Sequence, residues 1–260
     1  MVIHSYLTNG FYEWAKVFIQ SFRLHNGSDM RIVLSTRDLK ERQIKELYSL
    51  VDNIEIRNES LDLEKMSRSS GFTIERLVVL KKQIEEIHVT PESVIWKQFI
   101  SVEDRYRNSI IDVMCDYKNE DFLIHFDIDT YIIAPLDKLF NLVRSNDISI
   151  RFRPNSYISR KVLGNLIGFR LGGKCDEFMD RWVHHIDAKP IKAKPAGYGQ
   201  TSFYYAYLDT KDTYSWGDIP LELFNGVVWT REPSARGKSQ NLKSCRKDFR
   251  SVCEKLQRKK

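Results

Sequence analysis

The first half of the chain alternates short runs of β-forming residues with stretches in which apolar residues recur at helical spacing. Val2–Leu7, Met30–Ser35 and Asn53–Arg57 have the composition of strands. Helical periodicity begins at Phe11 and again at Ile74. Strands that alternate with helices are joined by crossovers, which produce parallel pairing and place helices on both faces of a sheet. The order therefore predicts an α/β domain with a mostly parallel central sheet.

The second half is less regular, and no repeat or low-complexity linker separates it from the first. We therefore predict one continuous domain, with residues 1–130 as one half and 131–260 as the other. Asp38 is a plausible N-cap for the helix after the second strand. The remaining predicted elements are strands at Asp147–Phe152, Asn165–Arg170 and Gly226–Thr230, helices at Tyr106–Met114, Asp176–Ile186 and Gln200–Leu208, loops at Ala188–Gly199 and Arg231–Gln240, and a basic C-terminal helix from Cys245.

The strand Phe122–Phe126 ends at two carboxylates one residue apart, Asp127 and Asp129. Ligands of open α/β sheets bind outside the carboxyl ends of the strands. On extended backbone, an i, i+2 pair projects both carboxylates to the same side, where they repel unless a cation lies between them. A hard divalent metal removes the repulsion and can bridge to phosphate oxygens. The pattern indicates a metal-held diphosphate, although such a triplet also commonly caps a turn or a helix.

The segment "FLIHFDIDTYIIAPLDKLF" resembles the Asp-x-Asp segment of GT-A fold glycosyltransferases. The resemblance implies a single GT-A-like, Rossmann-like domain, with residues 1–130 binding a nucleotide-diphosphate sugar and 131–260 binding the acceptor. It implies a metal-dependent transfer, with Mn²⁺ or Mg²⁺, from a UDP-sugar to a glycan or other hydroxyl acceptor. A hydroxymethylated base in DNA is a further acceptor class. The sequence does not choose between a hexosyl- and a pentosyltransferase.

The resemblance also implies roles for individual residues. Asp129 would be the principal metal ligand, and Asp127 would contact ribose and the metal. Gln200 would contact the donor in a retaining transfer, and Asp218 and Glu222 are, by location, candidate bases for an inverting one. Positive charge meets the departing diphosphate and lowers the barrier. The residues expected to contact the nucleotide sugar are Thr8, Asn9, Gly10, Thr36, Arg105, Asp127, Arg236 and Lys238.

Two departures from the family pattern concern the metal and the acceptor. Many relatives supply a third metal ligand, often a histidine, from a late loop. The last histidine here is His185, so Asn241, Glu232 or water would take that place. Gly199 stands where the family often has an Asp before Gln200.

The formal net charge is +6, and basic residues concentrate in the second half. This distribution favours an anionic acceptor, such as nucleic acid or a phosphorylated glycan. The chain has neither an apolar run of about 18 residues nor a start typical of a signal peptide. We therefore expect a protein without a membrane span, in the cytoplasm of a bacterium or of a virus-infected host cell.

Two other functions are also compatible with the sequence. A phosphohydrolase of the haloacid dehalogenase type also has Asp-x-Asp after an apolar strand, but it usually carries Thr or Val where this chain has Tyr131, and its motif usually lies near the N-terminus. A non-catalytic protein that binds nucleic acid through its basic half would leave the carboxylate pair unexplained.

Overall fold

A seven-stranded sheet forms the centre of the protein in the computed structural model. The structure describes residues 1–8, 11–37, 39–59, 63–64, 67, 73–85, 102–153, 155–156, 158, 161–187 and 198–230. The strands in this part of the chain are β1 (Val2–Thr8), β2 (Arg31–Arg37), β3 (Ile54–Glu59), β4 (Phe122–Phe126), β5 (Thr130–Ile132), β6 (Ile148–Phe152), β7 (Val162–Arg170), β8 (Trp216–Asp218) and β9 (Val228–Thr230).

The strand order in the large sheet is β3-β2-β1-β4-β7-β6-β8. Within it, β7 runs antiparallel to both β4 and β6, whereas the other pairings are parallel. The prediction of a single α/β domain with a mostly parallel sheet is therefore confirmed. The reversed strand follows β6 after a short connection, too short for the crossover that parallel pairing would need.

Helices cover both faces of the sheet, as the alternation predicted. They are α1 (Tyr12–His25), α2 (Glu41–Leu50), α3 (Ile74–Glu85), α4 (Val102–Asp116), α5 (Asp137–Arg144), α6 (Asp176–Asp187), α7 (Tyr198–Thr210) and α8 (Leu221–Val227). Successive strand residues point to opposite faces. Ile3 accordingly packs with buried residues of α1, α2 and α5, and its neighbour Val2 packs with those of α4, α6 and α7.

Several predicted boundaries are wrong. The second helix begins at Glu41 with Lys40 as its N-cap, not Asp38; Oε1 of Gln43 accepts a hydrogen bond from the Lys40 amide at 2.9 Å. Gly226 belongs to α8, and β9 begins only at Val228. The sequence did not predict the short elements β5, α5, β8 and α8. Most of the predicted loop Ala188–Gly199, the loop after β9 and the C-terminal helix lie outside the described residues.

No helix in the described part of the chain is both long enough and apolar enough to cross a lipid bilayer.

Candidate functional site

The Asp-x-Asp segment forms a tight turn at the carboxyl end of β4. The amide of Asp127 donates to the carbonyl of Asn165 at 2.9 Å, and the amide of Thr130 donates to the carbonyl of Asp127 at 3.1 Å. The expectation of extended backbone through the pair is therefore wrong. The turn is held by the burial of Ile128, which is 6% exposed, and of Thr130, which is 1% exposed. Asp127 and Asp129 are both partly exposed, so the turn buries the residues beside the carboxylates and leaves the carboxylates accessible.

The two-stranded ribbon of β5 and β9 fixes the far side of this turn. Thr130 pairs with Thr230, and Ile132 pairs with Val228. The Ile132 amide also donates to Oγ of Ser21 in α1 at 3.1 Å. The chain therefore leaves β9 beside Asp129 before it enters the segment that contains Arg236 and Lys238. Those two residues lie outside the described residues.

Asn165 places a buried polar atom next to the carboxylate pair. Its carbonyl accepts the hydrogen bond of the Asp127 amide at 2.9 Å, so the backbone of Asn165 lies directly beside the first residue of the carboxylate pair. Asn165 is 3% exposed, and its Oδ1 has no hydrogen-bond partner within the described residues. An unpaired buried oxygen is costly, so Oδ1 is an acceptor suited to a donor group on a ligand. The sequence predicted the strand but not this role.

Two fully buried histidines lie behind Asp127. Nδ1 of His4 is 2.9 Å from Nδ1 of His125, and Nε2 of His4 is 3.0 Å from Oγ of Ser35. Nε2 of His125 lies 3.7 Å from Oδ1 of Asp127. Burial lowers the pKa of His125 to about 3, and burial together with the charges of His125 and Arg57 lowers the pKa of His4 well below its usual value. Both rings are therefore neutral and lie in the core behind the carboxylate pair.

Gln200 lies close to this edge of the sheet through β7. Its Cγ would be 3.9 Å from a Cβ placed on Gly164, the neighbour of Asn165. Its Oε1 is 3.4 Å from Nη2 of Arg153, which follows β6. The structure thus brings Gln200 near Asn165, and it adds Arg153 as a cation that the sequence analysis did not single out.

Asp218 lies at the same edge of the sheet but far from the pair. It ends β8, three strand spacings from β4, or about 14 Å. Its Oδ1 accepts a hydrogen bond from the Phe152 amide at 3.0 Å. Asp218 is thus separated from Asp127 by β7 and β6, and its role as a base stays a prediction.

The residues predicted to contact the nucleotide are only partly described. Thr36 is 1% exposed at the end of β2, and its hydroxyl donates to Oδ1 of Asn58 at 2.8 Å. It therefore stabilises the loop after β2. Thr8 ends β1 and pairs with Arg37, and Arg105 lies in the first turn of α4, but the structure describes only the backbone of Thr8 and Arg105. Asn9 and Gly10 lie outside the described residues.

The chemistry of the carboxylate pair fits a hard divalent cation. Mg²⁺ and similar ions are usually held by one or two carboxylates, with water and substrate phosphates as the other ligands. Asp127 and Asp129 offer two carboxylates, and Asn165 adds a buried oxygen nearby. Among the described residues, no group of three or more His, Cys, Asp or Glu could form a complete protein cage for a metal. Two carboxylates are the number that Mg²⁺ commonly takes from a protein when phosphates and water supply its other contacts.

Neither a protein-family model nor a curated protein matches the chain. Solved glycosyltransferase structures resemble it. The WbbM bifunctional glycosyltransferase is 11% identical, with a TM-score of 0.48, over 85% of this chain and 39% of that one. The glycosyltransferase GlyE of Streptococcus pneumoniae TIGR4 is 13% identical, with a TM-score of 0.47, over 84% of this chain and 44% of GlyE.

A third resemblance is to a putative nucleotide-diphospho-sugar transferase from Desulfovibrio desulfuricans G20. It is 9% identical, with a TM-score of 0.46, over 98% of this chain and 97% of that one. This chain spans less than half the length of WbbM or GlyE. Resemblances at these TM-scores do not decide the function of this chain, which is inferred from its own geometry.

Proposed function

We propose that this chain is a metal-dependent glycosyltransferase that transfers a sugar from a nucleotide-diphosphate sugar, with a UDP-sugar favoured, to a hydroxyl acceptor. One observation carries the proposal. Asp127 and Asp129 are both partly exposed on a turn at the carboxyl edge of a mostly parallel sheet, and the turn is hydrogen-bonded to Asn165, whose buried Oδ1 has no partner among the described residues. That edge is where open α/β sheets bind ligands.

Asp129 would be the principal ligand of Mn²⁺ or Mg²⁺, and Asp127 would contact both the metal and the ribose. When bound, the metal neutralises the charge that develops on the diphosphate leaving group. Oδ1 of Asn165 would accept a hydrogen bond from a hydroxyl of the donor. In this proposal the carboxylates bind the metal, and the buried amide of Asn165 orients the donor.

The other residues predicted from the sequence complete the proposal. Arg236 and Lys238 would bring positive charge to the diphosphate, since β9 ends beside Asp129 and leads into their segment. Thr8, Asn9, Gly10 and Arg105 would contact the nucleotide or the pair from residues 1–130, whereas the buried Thr36 would act only by holding the loop after β2.

The choice between two mechanisms rests on Gln200 and Asp218. Gln200 lies near Asn165 and suits a donor-face contact in a retaining transfer, whereas Asp218 would be the base in an inverting one. Asp218 lies about 14 Å from β4 across the sheet. An acceptor molecule that contacted Asp218 and the carboxylate pair at once would therefore have to span about 14 Å.

Nucleotide protection tests the proposal. UDP with MnCl₂ should raise the melting temperature of the wild-type protein, and Asp129→Asn should remove the increase. Asp121→Asn is the matched control, because Asp121 is exposed at the other end of β4. It should respond as the wild type does. A screen of sugar nucleotides for Mn²⁺-dependent hydrolysis then identifies the donor.

A melting temperature of the wild type that is insensitive to every nucleotide with Mn²⁺ would refute the proposal. An equal increase in wild type and Asp129→Asn would show that the nucleotide binds elsewhere.

A further inference from the structure

Four side chains form a line across three adjacent strands of the sheet; the first three are within hydrogen-bond distance of one another, and the fourth lies 3.7 Å from the third. Ser35 of β2, His4 of β1 and His125 of β4 are buried, and the line ends at Asp127. The backbones of His4 and His125 are in register, so the rings lie side by side on one face of the sheet. Their centroids are 5.0 Å apart. The line connects the core to the carboxylate pair.

The distance between the two rings dictates how protons are arranged. A neutral imidazole has one N–H donor and one acceptor nitrogen. Two Nδ1 atoms at 2.9 Å form a hydrogen bond only when one of them carries a proton and the other does not. The pair therefore has two arrangements, and the groups at its two ends decide between them.

The end groups are not equivalent. An ionised carboxylate only accepts, whereas a serine hydroxyl donates or accepts. With the Nε2–H of His125 facing Asp127, Nδ1 of His125 must accept from the Nδ1–H of His4. Nε2 of His4 then accepts from the hydroxyl of Ser35. The reverse arrangement would turn a lone pair of His125 toward the negative carboxylate.

We propose that Ser35, His4 and His125 form a directional hydrogen-bond relay that positions the carboxylate of Asp127 for its ligand. The relay rests on the proposed function, because it takes Asp127 as a contact of the metal and the donor. The separation of 3.7 Å between Nε2 of His125 and Oδ1 of Asp127 exceeds a hydrogen bond. Contacts of this kind are often long before a ligand binds and tighten in the complex. His4, His125 and Ser35 are positioning residues, since none of them needs to touch the ligand.

The direction of the relay is tested first without any ligand. Nitrogen-15 NMR of the imidazole rings distinguishes protonated from unprotonated ring nitrogens, and single-histidine variants assign the signals among the six histidines of the chain. At neutral pH, His4 should carry its proton on Nδ1, and His125 should carry its proton on Nε2. Any other pair of tautomers overturns the proposal.

The positioning role is tested by binding of Mn²⁺ with UDP. Loss of a residue that orients a metal ligand typically lowers affinity 10–100-fold, and we expect this of His4→Phe. His4→Gln should recover most of the affinity, because an amide can donate to His125 and accept from Ser35. Ser149→Ala is the control, since Ser149 is fully buried in β6 outside the relay. Wild-type affinity in His4→Phe, or an equal loss in both His4 variants, would refute the role.

A second variant covers the case in which His4→Phe does not fold, as judged by circular dichroism. Ser35→Ala removes only one hydroxyl, and we expect an affinity about fivefold lower, as for one hydrogen bond. An unchanged affinity would contradict the relay. If the wild type fails to bind any nucleotide with Mn²⁺, the proposed function fails, while the tautomers still decide whether the relay exists.

Discussion

The Nδ1 atoms of His4 and His125 lie 2.9 Å apart in the core, although the two residues are 121 positions apart in the chain. Buried imidazoles that stay neutral make stability depend on pH. The pKa of His125 is lowered from 6.5 to about 3 by burial, and the pKa of His4 is lowered in the same direction. Below pH 6.5 the unfolded chain therefore binds protons that the folded chain does not bind.

We therefore predict acid destabilisation from the histidine pair. The contribution is fully present above pH 6.5 and is lost as the pH falls toward 3. His125 should lower the free energy of unfolding by about 1.4 kcal/mol per pH unit in that window, and His4 should contribute in the same direction. Urea denaturation at several pH values between 7.5 and 4.5 gives the free energy of unfolding as a function of pH. This free energy should fall less steeply with decreasing pH in His125→Phe than in the wild type. His184→Gln, at an exposed position of α6, should keep the wild-type slope. Parallel curves for wild type and His125→Phe would contradict the prediction.

A second prediction concerns the packing of α5 on the sheet. A Cβ on Gly168 would lie 2.7 Å from both γ carbons of Val143. Gly168→Ala should therefore lower the free energy of unfolding by about 1–3 kcal/mol through overpacking. Val143→Ala in the same chain should relieve part of the loss, which urea denaturation measures.

The matched control is a glycine with open space around it. A Cβ on Gly226 in α8 would meet nothing within 4 Å. Gly226→Ala should leave stability unchanged or raise it by about 1 kcal/mol, because alanine loses less backbone entropy in a helix. Equal destabilisation by both substitutions would show that the contact with Val143 is not the cause.

A third prediction separates binding from stability at Asn165. Leucine has the same branching and removes the buried Oδ1, which has no hydrogen-bond partner in the part of the chain that the structure describes. We expect Asn165→Leu to keep or raise the free energy of unfolding, by about 1 kcal/mol, since a lone buried acceptor is destabilising. The melting-temperature increase with Mn²⁺ and a UDP-sugar should become smaller. A variant that loses stability and keeps full ligand response would contradict the assignment of Oδ1 to the site.

A fourth prediction concerns the loop after β2. The side chain of Asn58 accepts from Thr36 Oγ1 at 2.8 Å and from the Leu39 amide at 3.0 Å, and it donates to the Leu39 carbonyl at 3.2 Å. Asn58→Ala should cost about 2 kcal/mol of unfolding free energy, because buried groups of the loop lose their partners. Asn141→Ala, at an exposed position of α5, should change stability by no more than about 0.5 kcal/mol. Similar changes in unfolding free energy for the two variants would show that the three hydrogen bonds of the Asn58 side chain contribute little.

The sequence alone predicts the elements whose signal is local. It predicts the strand Phe122–Phe126 with the bounds that the structure has, because four apolar residues and one histidine are followed directly by the carboxylate pair. It places the start of the second helix too early, at Asp38, since the Lys40–Gln43 contact that begins this helix has no strong sequence signature. It misses short elements such as β5 and β8 because three residues carry too little periodicity.

The pattern of apolar runs and the order of strands and helices determined the fold class and put Asp127 and Asp129 at the carboxyl edge of the sheet. Only the tertiary structure decided the reversed direction of β7, which sets Asn165 opposite Asp127, and the contact of His4 with His125. Both depend on pairing between distant strands. Such pairing is selected by the packing of the whole sheet, and it produces no recognisable pattern in the local sequence.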